Sequence, residues 1–181
     1  LERKQGLAHA LLFKVIQIHS HLHHFHSHIE DQIRKANEEG FSAKVWQIVT
    51  PLSGGPSEVA FTADEMALLL SLKNDDVFNN VISSDEVHNS IIGAFQLYHR
   101  LREELLSQIP AQMEGMRGRS ELTQQQMLFL GPKMAELEHL IGSMRDNCAR
   151  DVKSAWQNVL EVQALLKEKL GLSYAIREKQ K

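Results

Sequence analysis

Apolar residues recur along this chain in steps of three and four, the spacing that keeps side chains on one face of an α-helix. The first stripe runs unbroken through Leu7, Leu11, Val15, Ile18, Leu22, Phe25, Ile29, Ile33 and Ala36, predicting one helix of about ten turns. Gly40, placed after the polar run Asn37, Glu38 and Glu39, is its expected stop, because glycine accepts the left-handed conformation that closes many helices. A second stripe, Val87, Ile91, Ala94, Tyr98, Leu101, Leu105 and Ile109, reaches Pro110 with a weak extension to Gly115. The longest stripe runs from Leu137 through Ile141, Met144, Cys148, Val152, Ala155, Val159, Val162 and Leu166 to Leu170, and Gly171 closes it.

Capping signals divide the rest. Thr62-Ala63-Asp64-Glu65 forms a capping box, with Phe61 and Met66 placed as the hydrophobic staple around it. Ser83-Ser84-Asp85-Glu86 offers a second box, so residues 62–82 read as two short helices with a kink at Lys73-Asn74-Asp75-Asp76. Thr123-Gln124-Gln125-Gln126 is a third, with Leu122 and Met127 as its staple. It opens a helix of one or two turns that Gly131 ends, and Pro132 then suits the first position of the longest helix. Gly115, Arg117 and Gly118 mark a flexible turn, and no strand is convincing.

The fold class is therefore all-α: an elongated antiparallel helical bundle of three long helices plus a shorter kinked helical segment. Residues 1–172 read as one domain and 173–181 as a charged, mobile tail with little to bury. The connector 41–61 carries Pro51, Ser53, Gly54, Gly55, Pro56 and Ser57, and Trp46 reads as the anchor of a strap rather than part of a functional loop. The pattern leaves the bundle direction open, since 62–82 serves equally as a fourth leg or as a cover over one end.

Composition narrows the partners. A formal charge of −3, with no basic block, argues against nucleic acid, which needs clustered Lys and Arg. No apolar run approaches the ~20 residues that span a bilayer. The single Cys148 excludes an internal disulfide and, lying in the core stripe, reads as an inert buried thiol. Leu1 in place of methionine suggests an excised or processed chain, so an upstream leader or anchor is compatible with it. The compartment stays open, on either face of a bacterial membrane.

One anomaly carries candidate chemistry: His19, His21, His23, His24, His26 and His28 are six of the ten histidines, packed into a single helical segment. With Leu22 at the centre of the buried stripe, His19, His23, His26 and Glu30 fall on one flank at i, i+3 and i, i+4 spacings, which let imidazoles approach one divalent metal. One helix face supplies too few converging ligands for tight binding. The expectation is a solvated ladder with weak, adventitious metal affinity and no cofactor. Glu136 with His139, and Asp85 with His88, match the Glu-x-x-His spacing of di-iron bundles, but about one such pair is expected by chance. Ser53-Gly54-Gly55-Pro56-Ser57 lacks the Lys and the βα context of a phosphate loop.

No catalytic constellation emerges, so the leading expectation is a non-enzymatic helical scaffold or protein-interaction domain, with an unknown protein partner or a second copy as its target. Leu12, Phe13, Ile16, Leu140, Leu160 and Leu165 broaden the apolar faces, which suits a fuller core or a dimer surface. Two alternatives stand beside it: a ligand-sensing or extracytoplasmic domain of a membrane-anchored protein, and a His-rich metal-binding bundle.

Overall fold

In the computed structural model of the protein, residues 2–52, 54–109, 112–114, 117–119 and 121–177 are described. The chain is all-helical in class, with three long helices, α1 (Glu2–Glu38), α4 (Asp75–Ser107) and α5 (Gln124–Leu170). Two short ones, α2 (Val45–Ile48) and α3 (Ala63–Ser71), lie between α1 and α4. A small hairpin pairs β1 (Gln112–Glu114) with β2 (Arg117–Arg119) in antiparallel register, Met113 opposite Gly118. This corrects the expectation of no strand. The weak helix extension to Gly115 is corrected too, since α4 ends at Ser107 and Gln112–Glu114 is strand; Arg117 and Gly118, expected in a turn, belong to β2, while Pro110 and Gly115 lie outside the described residues.

Local chemistry explains the helix ends. At Gly40, φ is +68°, Phe41 N–H donates to Ala36 O and Gly40 N–H to Asn37 O, the paired bonds that satisfy the last free carbonyls of α1. Gly171 closes α5 at φ +69°. Thr62 caps α3 through Glu65, and Thr123 caps α5 through Gln126, both as reciprocal capping boxes.

Two local signals were overridden. Ser83-Ser84-Asp85-Glu86 lies inside α4, which starts at Asp75 instead. Asn74 is its cap: Val77 N–H donates to Asn74 Oδ1 at 3.1 Å, Asp75 and Asp76 fill the first turn, and Lys73 at φ 55° turns the chain out of α3. The seam then continues through Val77 and Val81 to His88, so restarting the helix at Ser83 would expose what it buries. Likewise α5 passes through Gly131 and Pro132 without ending. The bond that proline removes is the one to Leu128, a residue 76% exposed, where a carbonyl without its helical donor can be hydrated at little cost.

The chain forms two compact units, and each long helix contributes to both. The first comprises Leu1–Ser27, Pro56–Ile92 and Asn147–Lys181. Its core packs Leu11 and Val15 of α1, Leu68 and Leu69 of α3, Val77 and Val81 of α4, and Val159, Val162 and Leu166 of α5. Within it, His9 meets Tyr174 and His19 meets Trp156, so α5 runs against α1; Asn80 bonds Glu161 and Asn158 bonds Ser84, so α5 also runs against α4. Hence α1 and α4 point the same way. Leu172, Tyr174 and Ile176 pack on this core, so the segment after Gly171 buries more than expected, while 178–181 lie outside the described residues.

The second unit comprises His28–Gly55 and Gly93–Asp146. Its buried residues include Ile29, Trp46, Val49, Phe95, Tyr98, Leu105, Leu137 and Ile141. Among the described residues, no helix is long and apolar enough to cross a membrane.

Candidate functional site: a strapped cleft and a histidine pair

In the second unit the connector is clamped onto the helices by its own main chain. Trp46 is buried, its N–H donates to Glu138 Oε2 at 3.1 Å, and its carbonyl accepts from the Tyr98 hydroxyl at 3.0 Å and from Arg102 Nε at 3.2 Å. The same hydroxyl lies 2.6 Å from Val49 O. Thr50 N–H and Oγ1 donate to Gln32 Oε1, and His28 Nε2 donates to Thr50 O. A connector cannot bury its polar backbone without such partners. Tyr98 is fully buried, and burial, ahead of the neighbouring charges, pushes its hydroxyl up to about 12. Trp46 is thus the anchor of a strap, as its place in the sequence suggested.

The strap walls a cleft of about 630 Å³, within the range of small-molecule sites. Trp46, Ile48, Leu106, Ile109 and Met134 supply apolar surface, and Gln32, Lys35, Glu39 and Arg102 supply polar groups. A cleft of about 650 Å³ in the first unit is more polar, but its groups answer one another: Asn158 bonds Asn80 O and Ser84 Oγ, Asn80 bonds Glu161, and Arg150 bonds Asp151 and Asn147.

Replacing Tyr98 by Phe is expected to cost about 1–2 kcal/mol, because Val49 O loses its donor while Trp46 O keeps Arg102. Hydrogen exchange should quicken at the amides of Trp46 and Thr50 and stay unchanged in the first unit. Unaltered exchange at those two amides would mean that the strap stands without Tyr98.

The first unit holds a histidine pair, His88 buried and His21 partly covered. His21 Nδ1 of α1 lies 2.9 Å from His88 Nε2 of α4, with the rings stacked at 5.1 Å. His88 Nδ1 is 3.2 Å from Asn89 Oδ1, and Asn89 Nδ2 donates to Asp85 Oδ1 at 3.4 Å. One proton assignment satisfies the chain: His21 Nδ1–H donates to His88 Nε2, and His88 Nδ1–H to Asn89. His88 is fully buried, and burial, then the adjacent His21, lowers its pKa to about 4. Burial and His24 also lower His21, while burial raises Asp85.

The histidine ladder takes another form. His19 is buried, its ring 5.1 Å from Trp156 and 6.2 Å from His23, so it is not the solvated residue expected. Glu30 accepts from Arg145 Nε at 2.6 Å and Nη2 at 2.9 Å, so its carboxylate is committed to a cation of α5. Among the described residues, no group of three or more His, Cys, Asp or Glu is placed to hold a metal ion. His23→Gln, or a chelator, should leave the unfolding midpoint unchanged, whereas His19→Gln should cost about 1 kcal/mol through its lost contact with Trp156. A fall in midpoint on chelation would restore a structural metal.

The residues missed by sequence share a signal. Positions 77, 81, 84, 88, 91, 95, 98, 102 and 105 of α4 alternate steps of four and three, and this row is the buried seam in place of the row through Val87, Ala94 and Leu101, which are only partly covered. Ser84, His88 and Arg102 interrupt it with polar groups, and a polar residue in a core row needs a specific partner. Cys148 is fully buried, and burial, then Asp151, pushes its thiol up to about 12. No protein-family model, curated protein or solved structure matches this chain.

Proposed function

We propose that this chain is a non-enzymatic helical binding domain whose working site is the strapped cleft of the second unit, where it takes up a small ligand as a sensing module does. The observation that carries this reading is the strap itself: Trp46, Val49 and Thr50 are clamped through Tyr98, Arg102, Glu138 and Gln32, and the clamped strap forms one wall of an open cleft of about 630 Å³. Three buried groups agree with the non-enzymatic side. Cys148, Tyr98 and His88 are displaced to about 12, about 12 and about 4, away from the neutral range that suits proton transfer. The test is a small-molecule screen read by the fluorescence of Trp46 in a Trp156→Phe background, combined with thermal stability. Ligands that quench Trp46 and raise the midpoint are expected; a screen that yields turnover, or no compound acting on Trp46, overturns the reading.

A second reading, a protein-interaction domain that pairs with its own copy, draws on three consecutive exposed residues of α5: Met127 at 49%, Leu128 at 76% and Phe129 at 68%. Sedimentation over a range of concentrations should then show a dimer that Leu128→Ser with Phe129→Ser abolishes. A monomer at every concentration removes this reading.

A further inference from the structure

Arg102 occupies the buried row of α4 between Tyr98 and Leu105, where a side chain ordinarily belongs to the core. Its Nε is spent on the Trp46 carbonyl, which holds the guanidinium at the wall of the cleft. Among the described residues no carboxylate pairs with Arg102 or with Lys35, the other cation of that wall. Glu138 accepts the Trp46 N–H and does not line the cleft, whose one lining carboxylate among the described residues is Glu39. A partly covered guanidinium with no ion pair among the described residues is costly, and its flat fork of donors matches the two oxygens of a carboxylate. The same lining includes Leu106, Ile109, Leu122 and Met134, surface suited to an alkyl or aryl body.

From this we infer that the cleft binds an amphipathic monoanion, its carboxylate on Arg102 with Lys35 adding charge, and its apolar body against the α4 and α5 side chains. The inference rests on the binding reading above and adds the chemical class of the ligand.

Titration calorimetry on the full chain, with decanoate, decanol, decyltrimethylammonium and acetate kept below micelle formation, tests it. Decanoate should bind about ten-fold more tightly than decanol, with decyltrimethylammonium weaker still and acetate silent. Lys35→Gln leaves the strap bonds intact and should weaken decanoate about three-fold without altering decanol. Arg102→Gln should weaken decanoate about ten-fold or more. Because that variant also removes a strap bond, its decanol affinity and thermal midpoint are read in parallel, and equal losses for both ligands leave Lys35→Gln to decide. Decanoate and decanol binding alike, or Lys35→Gln changing neither, overturns the anionic class while the binding reading survives. If none of the four binds, both fall.

Discussion

Lowering the pH from 7 to 4 is expected to remove ~3 kcal/mol of unfolding free energy through His88 alone. The side chain is fully buried in the first unit, and its pKa falls from 6.5 to about 4, first by burial and then by His21, partly offset by the bond to Asn89. Its folded-state pKa is depressed, so above pH 6.5 neither state carries the proton and the contribution is complete. As the pH drops further the unfolded chain takes up the proton and the folded one does not, and stability drains away until about pH 4, where the folded form also protonates. The bond from His21 reinforces the direction, since protonating His88 Nε2 replaces a hydrogen bond with two facing donors. Urea unfolding at several pH values should give a slope across this window that His88→Leu flattens. Parallel slopes for the two proteins would rule out the buried imidazole as the cause.

Glu65→Ala should be comparably damaging, at about 3 kcal/mol. Glu65 is 3% exposed and does two jobs at once. Its carboxylate takes Lys14 Nζ of α1 at 2.6 and 2.8 Å, and it accepts Thr62 N–H at 2.7 Å to complete the cap of α3. Burial pushes this carboxyl up, but the bonds from Lys14 and Thr62 outweigh it and leave the pKa below the usual value. Truncation strands the Lys14 ammonium, 5.9 Å from the Phe61 ring centre, without its counter-ion and frees the helix start. The cost stays below that of a fully buried pair because Lys14 keeps 22% of its side-chain surface. Glu65→Gln, which can retain the cap but not the charge, should fall between. A cost under about 1 kcal/mol for the alanine variant would show that α3 is held by Leu68 and Leu69 instead.

The two clefts and the histidines separate what is local from what is not. Six histidines within ten residues are visible in the sequence, but their fates are decided by residues far along the chain: His21 by His88, His19 by Trp156, and the neighbouring Glu30 by Arg145. A helical wheel ranks residues around one axis and cannot say which neighbour lies opposite. The spacing of His19, His23, His26 and Glu30 speaks of one helix only, and Arg145, far along the chain, is what claims the carboxylate.

The stripes of α1 and α5, the stops at Gly40 and Gly171 and the caps at Thr62 and Thr123 were determined by sequence, because each depends on hydrogen bonds and side-chain spacing within a few residues. Tertiary structure alone decided that α4 runs through Ser83 and α5 through Pro132, since a continuous buried seam outweighs a local cap or the loss of one exposed backbone bond. It also decided that Tyr98 and Arg102 reach back about fifty residues to hold Trp46, and so that the cleft exists at all. A hydroxyl or guanidinium in a core row announces only that some partner is required; the partner is chosen when the helices pack and water is no longer there to serve.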